Sequence, residues 1–328
     1  MTKPATRLPP RDNDRQTRDA VQFRPARRDD LRACREVWRE SLNDYMGRVN
    51  EPLIPIEAES ITRLHEHLLS TDPDRFVVAT RPTVDEGEGG ERIVGCTSAV
   101  RRGDLWFLSM LFIRPDEQGA GLGRALLARI LPTDGAVLAT ATDTAQPISN
   151  ALYASLGMVP RMPVFSVIGR PARHGFEPLP SGVVAQALGI GAYDREGAVA
   201  AIVDAIDREL LGFIRPRDHG LMGLEGREGF LYRRPDGAVV GYGFASQTGR
   251  VGPVAARDEA MLAPILGHLL GAVEPHGASA VWVAGAAGGP LVQLLRAGFR
   301  LEGFPVLLCW SRPFADFSRY LPISPGLL

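Results

Sequence analysis

The stretch Leu105–Ala128, LWFLSMLFIRPDEQGAGLGRALLA, decides the fold of this chain. Its first part, Leu105–Ile113, is apolar apart from Ser109 and predicts a largely buried strand. Glycines at 119, 121 and 123 then permit positive φ angles and close approach of a ligand, and the following RALLA segment is a strong helix former. The pattern therefore predicts a strand, a glycine-rich turn and a helix in direct succession.

The start of such a helix is a place where an anion can bind. Its first backbone N–H groups have no partner inside the helix, and they carry a partial positive charge of about 0.5 units. A phosphate or pyrophosphate fits this arrangement. The residues exclude a P-loop, because no GK[ST] is present, and the GxGxG spacing differs from the dinucleotide fingerprint GxGxxG. GxSxG, the nucleophile elbow, is absent from this segment.

Composition indicates an ordinary soluble globular protein and predicts a cytoplasmic location. With 328 residues, 45% of them hydrophobic, and a net charge of −1, the chain is long enough for two domains and gives no reason to expect nucleic acid or membrane as a partner. Residues 1–20 are charged, contain proline and have no apolar run, which predicts a disordered lead-in and not a signal peptide. Cys34, Cys96 and Cys309 are far apart, and no histidine spacing suggests a metal site.

Short strands and helices alternate through the first half. The periodicity predicts a helix over Arg28–Tyr45 with an apolar face, and a second helix over about Ala58–Leu69. Further elements are predicted as strands starting at Gln22, over Phe76–Thr80, Ile93–Val100, Val137–Thr142 and Val164–Ile168, and as a helix around Ile148–Leu156. The acidic, glycine-rich stretch VDEGEGGE, before the strand at Ile93, is typical of a hairpin turn.

The pattern then begins again, which predicts a duplicated fold. LGMVPRMPVFSVIGRP at 156–171 recurs as AGFRLEGFPVLLCWSRP at 297–313, and IVGCTSAVRRG at 93–103 recurs loosely as VVGYGFASQTG at 239–249. Residues 171–182 are rich in proline and glycine and read as a linker. We therefore predict a first domain over 21–170 and a second over 183–328.

The opening stretch resembles the acyl-CoA loop of the GNAT superfamily of N-acetyltransferases, whose signature is [QR]xxGx[GA] after a strand that ends in V/I-x-P. Here the signature reads Gln118, Gly121 and Gly123, preceded by Ile113 and Pro115. The resemblance implies an α/β (α+β) fold of two tandem acetyltransferase-like domains, each with a mixed, mostly antiparallel sheet flanked by helices. It also implies that acetyl-CoA is the cosubstrate.

The resemblance assigns a set of cofactor-binding residues. In the family the loop holds the coenzyme A pyrophosphate, and the preceding strand splays from its neighbour and pairs through its backbone with the pantetheine arm. Carried onto this sequence, the set is Leu111, Phe112, Ile113, Gln118, Gly119, Ala120, Gly121, Leu122, Gly123 and Arg124. If the strand instead pairs along both edges, the site does not exist.

A tyrosine is the expected proton donor to the departing thiolate. The family pattern LYxxxGF is matched by Leu152, Tyr153 and Gly157, and a phenol with a pKa near 10 suits a thiolate near 8.5. Where the family carries asparagine seven residues earlier, this chain has Gln146, and Asn150 is the alternative contact to the pantetheine. Candidates for the base that keeps the amine neutral are Glu40 and Asp44, and also Asp104 and Glu36; the sequence does not choose among them.

The second half lacks both signature elements. AMLAP at 260–264 stands where the glycine loop would be, and Leu294 or Leu295 stands where the tyrosine would be. We therefore expect a degenerate second domain, in a monomer or homodimer, and direct acetyl transfer to the amine of a small molecule or peptide in the first. The alternative function is a catalytically inert acyl-CoA-binding sensor or scaffold. Preference for a longer acyl donor would depend on the pocket near Ser109 and Met110.

Overall fold

A computed structural model describes residues 21–57, 60–82, 90–170, 175–188 and 197–328. The predicted lead-in over residues 1–20, most of the predicted hairpin turn at 84–91 and the first part of the predicted linker lie outside these residues. None of the helices among them is long and apolar enough to cross a membrane.

The described part of the first half contains ten strands and α-helices. They are β1 (Gln22–Pro25), α1 (Leu31–Arg48), α2 (Ser60–Thr71), β2 (Phe76–Pro82), β3 (Glu91–Arg102), β4 (Leu105–Ile113), α3 (Leu122–Ile130), β5 (Val137–Asp143), α4 (Pro147–Ala154) and β6 (Val159–Gly169). The central strand has the predicted bounds. Most other predicted elements of this half are confirmed with shifted ends; α1, for example, begins three residues late because a short 3-10 turn occupies Arg28–Asp30.

The second half repeats this order. Its elements are β7 (Val184–Leu188), α5 (Ala198–Leu211), α6 (Pro216–Leu224), β8 (Arg227–Arg233), β9 (Val239–Ser246), β10 (Arg250–Ala256), α7 (Glu259–Ala272), β11 (Ser279–Ala284), α8 (Gly288–Arg296), β12 (Arg300–Trp310) and the short β13 (Tyr320–Leu321). Apart from β13, each element has a counterpart in the first half, so β10 corresponds to β4, α7 to α3 and α8 to α4. The predicted duplication of the fold is confirmed.

Contacts divide the chain into two compact units. The first comprises the residues up to Ser98 together with Met110–Leu131, and its strands β1, β2 and β3 pair antiparallel in that order. Its core includes Cys34 and Val37 of α1, Leu68 of α2 and Phe76 of β2, all fully buried.

The second unit comprises Ala99–Ser109 and Pro132–Leu328. Its strands follow the order β5-β12-β6-β11-β10-β9-β8-β7, and the pairs are antiparallel except for β10 with β11. The first half of β4 also belongs here and pairs in parallel with β5. The sheet is therefore mixed and mostly antiparallel, as predicted.

The two sequence halves exchange strands in the second unit. β12, from the second half, lies between β5 and β6 of the first half, and β6 in turn lies between β12 and β11. The division by contacts and the division by sequence repeat are therefore different partitions of the chain.

Helix α7 covers the sheet of the second unit at close range. A Cβ atom at Gly241 would stand 2.6 Å from Ile265 Cδ1, and one at Gly243 would stand 2.5 Å from Leu269 Cδ1. These two glycines of β9 allow α7 to pack against the strand, with Ile265 and Leu269 fully buried.

Candidate functional site

Strand β4 parts from β5 before it ends. The parallel ladder runs from Leu105↔Val137 to Leu108↔Thr140, and β4 continues to Ile113. At the end of the ladder, Leu108 O accepts a hydrogen bond from Thr140 Oγ1 at 3.0 Å. Within the described part of the chain, no strand pairs with the rest of β4 on this edge.

The alternation of backbone groups along β4 breaks at Ser109. Arg114 N–H donates to Val94 O of β3 at 2.9 Å, and Met110 O accepts a hydrogen bond from Thr97 Oγ1 of β3 at 2.9 Å, so residues 110, 112 and 114 face β3. Leu108 has that parity too, and yet its carbonyl faces β5. One residue between Leu108 and Met110 must therefore be out of phase, which is a β-bulge. Beyond it, Leu111 and Ile113 direct their backbone groups away from β3.

We call Leu111–Ile113 on this side the open edge of β4. Ile113 O accepts a hydrogen bond from Gln118 Nε2 at 3.1 Å. The N–H and C=O of Leu111 and the N–H of Ile113 are then the groups that the open edge offers to a ligand. Phe112 turns its backbone towards β3, so its half-buried side chain is all that it can offer there. Gln118 likewise holds the turn against the strand with its side-chain amide.

The glycine turn ends in a helix start without a side-chain cap. Gly121, at φ 78° and ψ 8°, is the N-cap residue of α3, and as a glycine it has no side chain that could cap the helix. The first backbone hydrogen bond into the helix runs from Ala125 N–H to Gly121 O at 3.0 Å. The N–H groups of Leu122, Gly123 and Arg124 precede it and therefore have no carbonyl partner within α3. Gly119, at φ 86°, and Ala120 complete the turn.

The charges around this turn favour an anion. Glu117 is held by Arg81 through two hydrogen bonds of 2.7 and 2.9 Å, and Asp116 pairs with Arg92 at 3.0 Å. Both acidic side chains of the turn are thus paired with cations. Arg124, which is exposed in the first turn of α3, adds a positive charge to that of the helix end.

The candidate bases on α1 form ion pairs. Glu40 pairs with Arg114 Nη1, and Glu36 lies 4.0 Å from Arg114 Nη2. Asp44 pairs with Arg48 of the same helix at 2.9 Å. Asp104 lies in the exposed turn before β4. The structure therefore presents none of the four as an unpaired carboxylate beside the open edge of β4.

The comparisons with known proteins agree with this geometry. Residues 35–158 match the model of the acetyltransferase (GNAT) family. Over these residues the chain is similar to a GNAT acetyltransferase domain. The match contains the open edge, the glycine turn and the helix start, together with Tyr153, and it ends at Met158.

Solved structures share the fold of this chain over most of its length, and one of them is a tandem GNAT protein. A putative acetyltransferase from Pyrococcus horikoshii matches with a TM-score of 0.69 and 16% identity, covering 94% of this chain and 96% of that one. A GCN5-related N-acetyltransferase from Sphaerobacter thermophilus matches with a TM-score of 0.58 and 18% identity, over 92% and 99% of the two chains. A tandem GNAT protein from the clavulanic acid biosynthesis pathway matches at 0.51 and 15% identity, over 89% and 99%. No curated protein matches the sequence.

Tyr153 lies in α4, in the second compact unit. Its side chain is 5% exposed, and burial raises the pKa of its hydroxyl well above the usual 10. The hydroxyl therefore keeps its proton through the neutral range, and the raised pKa makes it a weaker acid towards a thiolate near 8.5 than a free phenol is.

The side-chain amide of Asn150 is hydrogen-bonded at its nitrogen and unpaired at its oxygen among the described residues. Its Nδ2 donates to Gln146 O at 2.8 Å and to Asp143 O at 3.1 Å, while its Oδ1 is buried and has no partner among the described residues. Buried polar atoms are normally paired, so this oxygen can accept a hydrogen bond from a ligand amide. Gln146 is the N-cap residue of α4, and its backbone carbonyl accepts hydrogen bonds from Asn150 N–H and Asn150 Nδ2.

The second half has counterparts to these features, but without their chemistry. Phe299 N–H donates to Leu294 O as Met158 N–H donates to Tyr153 O, which identifies Leu294, and not the exposed Leu295, as the residue in the tyrosine position. The N-terminus of α7 is capped, because Asp258 Oδ1 accepts a hydrogen bond from Ala260 N–H at 3.0 Å.

Sequence reasoning missed His65 of α2. Its ring is fully buried, Nε2 lies 3.0 Å from Met110 Sδ of β4, and Nδ1 has no partner among the described residues. Burial lowers the pKa of His65 to about 4, so the ring is neutral at pH 7. A lone histidine on an amphipathic helix gives no sequence signal for such a contact. The described residues contain no cluster of side chains that could hold a metal ion.

Proposed function

We propose that the protein is an acetyl-CoA-dependent N-acetyltransferase that passes the acetyl group directly to the amine of a small molecule or peptide, with the reaction in its first half. The observation that supports this best is the open edge of β4, which runs directly into the uncapped start of α3. One feature suits an extended chain with amide groups, and the other suits a pyrophosphate.

The residues of the turn and the strand would divide the binding between them. The N–H groups of Gly119–Arg124 would hold the pyrophosphate, and each charge-assisted hydrogen bond contributes about 1.5–3 kcal/mol. The open edge would pair with the amide groups of the pantetheine arm, as it would with a neighbouring strand. The groups that it offers are Leu111 N–H and C=O and Ile113 N–H. The 13 bonds from phosphorus to sulfur span about 15 Å when extended, and from Ile113 back to Ser109 the strand spans about 13 Å. This reach brings the sulfur end close to the bulge at Ser109.

When bound, acetyl-CoA supplies an activated acetyl group as a thioester. Backbone N–H groups near the bulge would stabilise the negative charge that develops on its carbonyl oxygen. Tyr153 would donate its hydroxyl proton to the departing thiolate. The acceptor amine must be neutral to attack, which for a lysine-like amine costs roughly 4–5 kcal/mol at pH 7, and water near the site would take up its proton.

Thiol release from acetyl-CoA with a panel of amines tests the proposal. The protein should accelerate release with at least one amine, and Gly121→Glu should abolish both binding and release. Gly237→Glu is the matched control, because Gly237 also has a positive φ, 84°, and an added Cβ there meets nothing within 4 Å. Binding of acetyl-CoA without release by any amine would instead favour the sensor or scaffold.

A further inference from the structure

In the second half, the chain itself fills the place that corresponds to the open edge of β4. β10 pairs in parallel with β11 only at Arg250↔Ala280 and Val251↔Val281. Farther along the same edge, β13 pairs antiparallel with it, with Val254 opposite Leu321 and Ala255 opposite Tyr320. The other edge of β10 pairs with β9, and its register there shifts between Val251 and Val254, as the phase of β4 shifts at Ser109.

The corresponding helix start is closed as well. Asp258 caps α7, and Glu259 adds a second carboxylate in its first turn. These charges stand where α3 has glycine and free N–H groups, and they would repel a pyrophosphate. The cofactor cleft of the second half is therefore filled by β13 along the strand and blocked by acidic side chains at the helix.

The chain that follows β13 contacts β4. After β13, Ser324 and Leu327 exchange backbone hydrogen bonds of 3.0 and 3.3 Å, which closes a tight turn around Pro325 and Gly326. Ile323 and Leu327 are buried and anchor the turn. At its tip, Gly326 O accepts a hydrogen bond from Ser109 Oγ at 2.5 Å. Ser109 is the bulge residue of β4.

We propose that residues 319–327 form a strap that uses the lost cofactor cleft of the second half as its dock and limits the acyl group that is accepted at Ser109. The inference rests on the proposed function, which puts the thioester end of the cofactor close to this residue. The acyl carbons would extend beyond the sulfur and meet this turn as a wall. The turn is rigid because its backbone is closed on itself and Pro325 restricts it. The donor class is a short acyl-CoA, with two or three acyl carbons.

Substitution of Ser109 tests the strap. The quantity to measure is the ratio of kcat/KM for butyryl-CoA to that for acetyl-CoA. Ser109→Ala removes the hydrogen bond to Gly326 and should raise this ratio about three- to tenfold, whereas Ser109→Thr, which keeps the hydroxyl, should leave it near the original value. Ser70→Ala is the matched control, because Ser70 Oγ also donates to a backbone carbonyl, that of His67, at 2.8 Å.

The outcomes separate this inference from the proposed function. An unchanged ratio in Ser109→Ala, or an equal rise in Ser70→Ala, overturns the strap while acetyl transfer by the original protein stands. Where Ser109→Ala is too slow for kinetics, the ratio of dissociation constants of the two acyl-CoA molecules replaces the kinetic ratio. Pro325→Gly, which loosens the turn and changes no residue of β4, should raise the ratio in the same direction; no change there also overturns the strap. No thiol release by the original protein with either donor contradicts the proposed function itself.

Discussion

The substitution Gly123→Ala should stabilise the protein and weaken its binding of coenzyme A. Gly123 lies in the first turn of α3, and an added Cβ would stand 3.9 Å from Ile113 Cγ1 and from Leu111 Cδ2, which is ordinary contact. Alanine in place of glycine in a helix contributes about 0.5–1 kcal/mol, mostly through the unfolded state. We therefore expect Tm to rise by about 1–3 °C.

The same methyl group narrows the approach to Gly123 N–H from the side of the open edge. Loss of one charge-assisted hydrogen bond to a phosphate oxygen costs about 1.5–3 kcal/mol, which is about a 10- to 150-fold increase in Kd. Calorimetric titration with coenzyme A measures Kd, and a thermal melt measures Tm. Because the two effects have opposite signs, a misfolded variant cannot imitate the result.

Gly220→Ala is the matched control for this prediction. Gly220 is an exposed residue of α6, and an added Cβ there meets nothing within 4 Å. It should raise Tm by a similar amount and leave Kd unchanged. A Kd for Gly123→Ala within twofold of the original, together with a raised Tm, would refute the assignment of the start of α3 as the pyrophosphate site.

Three further predictions follow from the site. Tyr153→Phe should lower kcat with little change in Kd for acetyl-CoA, and equal activity of the variant from pH 6 to 10 would remove the hydroxyl from the mechanism. Leu294→Tyr should leave the stoichiometry at one coenzyme A per chain, because β13 still pairs with β10; titration that shows two would contradict this. Because the folded-state pKa of His65, about 4, lies below the unfolded value near 6.5, its contribution to stability is lost as pH falls from 6.5 to 4. The loss approaches about 3 kcal/mol, and urea unfolding of His65→Phe should show a weaker decline over that range.

Local patterns in the sequence predicted those features of the candidate site that are built from consecutive residues. The apolar run of β4 has the predicted bounds, and the positive φ angles of Gly119 and Gly121 are where the glycine spacing put them. From the sequence alone, either Leu294 or Leu295 could occupy the position that Tyr153 has in the first half. The structure decides for Leu294, because its burial and its backbone hydrogen bond depend on how α8 meets β12.

The sequence by itself determined that the fold is duplicated, and that one copy has a glycine turn and a tyrosine that the other lacks. Only the tertiary structure decided how the strands pair. The bulge at Ser109, the exchange of β6 and β12, the contact of His65 with Met110 and the pairing of β13 with β10 all join residues distant in the chain or depend on pairing with distant strands. Periodicity reports which residues are apolar and which face of an element they share, but it carries no information on which strand lies at the next edge.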